Sequence, residues 1–114
     1  MSIAPRGRVF GFEDRATGDL TLMTGRNRTQ AWKNLANVAA DGEVALAQEM
    51  FRESGNVPRV VYYIHYLQGA KDVKMGPYTK KQMKELRDQH DADMLIGVNK
   101  DVILKVEKET ARTT

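Results

Sequence analysis

The segment Arg59 to Leu67, RVVYYIHYL, constrains this chain more than any other. Valine, isoleucine and tyrosine dominate it, and these side chains fit a pleated, half-buried surface. Alternation puts Val60, Tyr62, Ile64 and Tyr66 on one face and Val61, Tyr63, His65 and Leu67 on the other. Apolar groups on both faces need cover on both faces, which predicts a central strand of a sheet. At 114 residues, a chain buries roughly two-thirds of its unfolded surface, enough for one core. Two domains would each be marginal. The expectation is a single α+β domain over residues 1–114, with frayed ends near 1–6 and 108–114.

Arg8 to Phe12 and Leu20 to Thr24 read as two short strands. The intervening Thr17-Gly18-Asp19 supplies a turn with a positive-φ position, so the pair predicts an antiparallel hairpin. Thr29 or Asn27 offers an oxygen to cap a helix. In that helix Trp32, Leu35, Ala36 and Ala39 repeat at one-face spacing. Asp41-Gly42 breaks it, and Asp41 is placed to cap a second helix whose stripe is Leu46, Ala47, Met50 and Phe51. Gly55-Asn56 and Pro58 end that helix. After the central strand comes a short edge strand at Val73 to Met75. Thr79 with Gln82 forms a capping box opening a third helix to about His90, with a thin apolar face of Met83 and Leu86. A second hairpin is expected from Met94 to Val98 and Val102 to Val106, turned at Asn99-Lys100-Asp101. The order ββααβ(β)αββ predicts three helices packed on a mixed or antiparallel sheet of four to six strands.

Composition removes several functions. Without cysteine there can be no disulfide, thiolate nucleophile or cysteine zinc site. The N-terminus lacks the apolar core of a signal peptide. The longest apolar run, Val60 to Ile64, is far short of the ~20 residues that cross a bilayer. A cytoplasmic protein with no membrane partner is the expectation. Glycines Gly7 and Gly11 precede no helix, so no phosphate loop is present. Ser2 and Ser54 stand beside no plausible base. Asp88 to Asp93 offers metal-type ligands at a spacing that fits a solvated helix end better. Tyr62 and Tyr66 could stack bases as in RNA-recognition domains. The glycine and phenylalanine pattern of that family is absent, however, and core tyrosines with wet hydroxyls fit better. No catalytic residue, metal ligand or cofactor is assigned.

Charge is unevenly spread. Residues 1–34 carry six basic and three acidic side chains, and residues 35–58 carry one and four. The stretch from Lys71 to Lys84 is basic as well. Basic patches of this kind can meet phosphate.

Residues 9–66 resemble the GIY-YIG nucleases. Val9-Phe10-Gly11-Phe12, followed by Ala16 to Gly25 (ATGDLTLMTG), is similar to that family's paired strands joined through a Thr-Gly turn. Thr29 to Ala39 compares with its arginine-bearing helix, Val44 to Gly55 with its second helix, and Val60 to Leu67 with its third strand. The resemblance implies a nuclease scaffold whose chemistry has gone. Phe10 and Met23 stand where the family has tyrosines, Lys33 stands near its arginine, and Glu85 is the sole candidate for its metal-binding glutamate. What remains is a small non-catalytic nucleic-acid-binding or regulatory protein whose basic N-terminal face of Arg6, Arg8, Arg26, Arg28 and Lys33 touches phosphates. One alternative is a protein-interaction module, such as a small phage or mobile-element factor that inhibits a host enzyme. Another is a divergent metal-dependent nuclease using Glu85.

Overall fold

The computed structural model describes residues 8–97 and 101–111. Among the described residues three helices and six strands form an α+β fold in which the strands divide between two antiparallel three-stranded sheets. The chain gathers into two compact units, one centred on the chain before Val60 and one spanning Val60–Thr110.

The first unit opens with β1 (Arg8–Asp14) and β2 (Leu20–Gly25), paired from Arg8↔Gly25 to Glu13↔Leu20. The expected hairpin is present, and Asp14 organises its turn. The Asp14 carboxylate accepts from the Ala16 and Thr17 N–H groups at 2.8 and 3.1 Å, while Gly18 takes the positive φ of 78°. Helix α1 (Arg28–Ala39) is capped by Asn27, whose side chain accepts from Gln30 N–H. It buries Ala31, Trp32, Leu35 and Ala36. Phe12 of β1 is wholly buried and meets Trp32 edge-on at 4.6 Å between ring centroids.

Asp41 does not cap the second helix. It adopts φ 51°, and with Gly42 at 84° it closes α1. Helix α2 (Val44–Met50) starts instead after Glu43, which makes no side-chain cap bond. Of the expected stripe, Ala47 is buried while Leu46 and Met50 are exposed. Phe51, also buried, has left the helix to begin β3 (Phe51–Ser54). This strand pairs with β1 from Asp14↔Phe51 to Gly11↔Ser54 and completes the order β2-β1-β3. Pairing across the sheet outweighed the helical spacing of Phe51, because β1 offered an open edge and the Phe12–Trp32 cluster offered cover.

In the second unit β4 (Val60–Gln68) is central, as expected, between β5 (Lys71–Tyr78) and β6 (Val102–Thr110). Val61 and Ile64, on opposite faces, are both buried. The edge strand is longer than expected and includes Pro77, which an edge position tolerates. Helix α3 (Lys80–Leu95) opens on the expected Thr79–Gln82 capping box. It does not stop near His90, and Met94 and Leu95, read as the start of a strand, are its last turn. Its buried residues are Met83 and His90. The His90 Nε2–H donates to the Asp101 carbonyl and its ring lies 5.8 Å from that of Tyr66, so the inner face is built partly from a histidine. The tail pairs with β4, and Lys108–Thr110 continue the ladder where fraying was expected. Val98, Asn99 and Lys100 of the expected hairpin lie outside the described residues. No described helix is long and apolar enough to cross a membrane.

Candidate nucleic-acid interface

Three of the five basic side chains on the expected N-terminal face come together. Arg8 sits opposite Gly25 in the hairpin, Arg26 follows Gly25, and Arg28 is the first residue of α1. The end of β2 is pressed onto the first turn of α1, since a Cβ on Gly25 would stand 2.6 Å from the Ala31 nitrogen. Asn34 strengthens that junction by donating to the Thr24 carbonyl at 2.7 Å. The arginines therefore sit around the N-terminus of α1, where the helix dipole is positive and anions are favoured. Lys33 is exposed on the same helix. Five residues after Arg28, it is turned about 140° from it around the axis, so it does not join the group. Arg6 lies outside the described residues.

The charges are not equally available. Arg28 is bound to Glu53 at 2.9 Å, with side-chain exposures of 73% and 37%. A pair that open to water is worth about 0–1 kcal/mol, so a phosphate could displace the carboxylate. Arg8 and Arg26 are exposed and make no ion pair among the described residues. Beside the Arg28–Glu53 pair a cleft of about 330 Å³ opens where β3 leaves β1. Its walls include Val9, Gly11 and Val57, with the Arg28–Glu53 pair at its edge. A side chain on Gly11 would press on Ser54 O, Leu20 and Val57 at 3.2 Å each.

Phe10 and Met23, compared above with nuclease tyrosines, face one another directly across the hairpin and pack against the core. Neither can supply a hydroxyl. The strand compared with the family's third, Val60 to Leu67, belongs to the other sheet, and β3 is the third strand beside β1 and β2. Glu85 is exposed on α3. Among the described residues no group of three or more His, Asp or Glu could hold a metal ion.

A second cluster was not singled out in the sequence. His65, 8% exposed, places Nδ1 3.0 Å from Asp72 and Nε2 3.9 Å from Glu107. Lys74 forms an ion pair with Glu107 at 2.8 Å and donates to Glu109 at 3.3 Å, and its ammonium lies 4.2 Å from the Tyr63 ring centroid. The Lys74 ammonium holds the Glu107 carboxyl below the usual carboxylate range, and Glu107 in turn raises the lysine. These residues join β5, β4 and β6 across one sheet face, and within the cluster His65 Nε2 and Glu107 Oε2 are buried without a hydrogen-bond partner. The period-2 charges of Lys105-Val106-Glu107-Lys108-Glu109 and Asp72-Val73-Lys74 were the available signal. Only the register showed which would meet. On the opposite face burial raises the Tyr66 and Tyr78 hydroxyls, and Tyr66 lies against His90 of α3, so the strand is not an open stacking platform there.

No family model, curated protein sequence or solved structure matches this chain.

Proposed function

We propose that this chain is a small non-catalytic protein that binds nucleic acid through phosphate groups, at the end of the first unit where β1, β2 and α1 meet. The observation that carries the reading is the convergence of Arg8 and Arg26, exposed and unpaired among the described residues, beside Arg28 at the N-terminus of α1. Such contacts position a backbone and carry no sequence information. Binding should therefore be sequence-tolerant, weak and strongly salt-dependent. A cytoplasmic location accords with it. The test is a fluorescence-polarisation titration of single- and double-stranded DNA and RNA across a range of salt. In Arg8→Gln/Arg26→Gln the slope of log affinity against log salt should become shallower by about 1 to 2, as counterion release from two phosphates is lost. Wild-type protein that binds none of these probes at low salt would overturn the reading.

A protein-interaction module is the second reading, favoured by exposed apolar side chains in the other unit. Leu95 and Ile96, at the end of α3, are 88% and 73% exposed, and Val102 and Leu104 of β6 are exposed too. Apolar side chains this exposed mark a partner site where they form one contiguous patch. Leu95→Asp/Ile96→Asp should release a stoichiometric partner in a pull-down, and an unchanged partner profile would count against this surface.

A further inference from the structure

Helix α3 carries its charges in the reverse of the order its own dipole favours. Lys80, Lys81, Lys84 and Arg87 occupy its first half, where the dipole is positive, and Asp91 and Asp93 lie near its negative end. All four cations are exposed. Lys81, Lys84 and Arg87 each have an acid four residues on, in Glu85, Asp88 and Asp91, at the spacing that lets side chains pair. None of the four forms an ion pair among the described residues. The helix thus holds uncompensated positive charge where local stability would place acids, and conflict between local preference and observed sequence is concentrated at functional surfaces.

We infer that the flank of α3 formed by Lys80, Lys84 and Arg87 is a phosphate-binding stripe for a nucleic-acid strand. At 100° per residue these three fall within about 60° of the helix circumference, and they span roughly 10 Å of its length. The shape of the patch selects the ligand. On one side around the helix come Asp88, then Lys81 and Glu85, all exposed, and Asp91 lies within the same sector one turn on. A planar anionic surface laid on this helix would meet those acids along with the lysines, and the stripe has no apolar side chains interleaved with it to enter a bilayer interface. A linear polyanion can cross the three cations ahead of Asp91 and leave Asp88 and Glu85 to one side. The buried residues Met83 and His90 lie about 40° and 60° beyond Arg87 around the helix, so the stripe borders its packed side. This second surface lies in the other compact unit and shares with the N-terminal arginines only the class of ligand.

The test compares full-length wild type with Lys80→Gln/Lys84→Gln/Arg87→Gln and with Arg8→Gln/Arg26→Gln. The readout is the affinity for a short fluorescein-labelled single-stranded DNA across a salt series. Glutamine keeps helix propensity and relieves the dipole conflict, so the triple variant should melt at or slightly above the wild-type temperature. Its salt slope should be shallower than wild type by about 2, because three phosphates of a single strand are no longer neutralised. Glu85→Gln, on the same helix, should leave affinity equal or increase it. A triple variant with the wild-type slope and affinity overturns the α3 stripe alone, while loss of binding only in Arg8→Gln/Arg26→Gln leaves the N-terminal reading standing. Wild-type protein that binds anionic vesicles and no nucleic acid overturns both.

Discussion

Replacing Gly25 with alanine tests the junction on which the arginine cluster depends. Gly25 has no positive φ, so its requirement is space. A Cβ there would lie 2.6 Å from Ala31 N, 2.9 Å from Ala31 Cα and 3.0 Å from Asn27 O. All three are backbone atoms, so relief requires the start of α1 to move. Overpacking of this kind costs about 1–3 kcal/mol. Asn27 sits at the point of contact and caps Gln30 N–H at 2.9 Å. Disturbing that cap adds up to about 1 kcal/mol. Gly25→Ala should therefore lose about 1–4 kcal/mol, a large part of the ~5–15 kcal/mol that holds a domain folded. The single tryptophan, Trp32, is 9% exposed in α1, so its fluorescence in urea reports on this unit. Gly18→Ala is the control. Gly18 has φ 78° and nothing within 4 Å, so only the left-handed backbone penalty of about 1–2 kcal/mol applies. If Gly25→Ala unfolds within about 0.5 kcal/mol of wild type, β2 does not press on α1 as described, and the placement of Arg26 and Arg28 loses its foundation.

Phe12→Ala should destabilise the same unit by about 3–5 kcal/mol, because it empties a wholly buried site against Trp32; a smaller Trp32-monitored loss than that of exposed Val38→Ala would refute the core assignment. Thr79→Ala should cost α3 about 1 kcal/mol by removing its half of the capping box, read as lower hydrogen-exchange protection across residues 82–86 with β1 and β2 unchanged. Lys74→Met should raise the Glu107 titration toward the ordinary carboxylate range, measured by carboxyl-carbon NMR. A carboxyl held low when folded stabilises above its unfolded pKa and loses that contribution as pH falls through the lowered folded value. The variant should accordingly lack part of the acid-side fall in melting temperature; a Glu107 curve unmoved by the substitution would show that Lys74 does not hold it.

The features legible in the chain were those set by neighbours in sequence. The β1–β2 hairpin follows from alternating strands around Thr17-Gly18-Asp19, and α3 opens on Thr79 and Gln82 because a capping box closes within four residues. The buried stripe of α1 and the apolar content of both faces of β4 were likewise periodicities that needed no partner to be recognised. Phe51 shows where this stops. Its spacing from Ala47 suits a helix, yet it begins β3 because Asp14 and the aromatic cluster lie ready across the fold. Met94 and Leu95 read as strand residues by composition but finish α3.

The candidate surfaces divide the same way. That Arg26 and Arg28 flank a helix start, and that Lys80, Lys84 and Arg87 share a flank, follows from local sequence once the helices are placed. Arg8 joins the first group only through its register opposite Gly25, and His65 meets Asp72 and Glu107 only because β4 lies between β5 and β6. Local preference is set within a turn or two of backbone, so residue order alone determined the α+β class and the caps of α1 and α3. Strand pairing joins residues far apart in the chain, and its energy comes from which surfaces finally bury one another. Tertiary structure alone therefore decided that six strands divide into two sheets, and which charges were left unpaired.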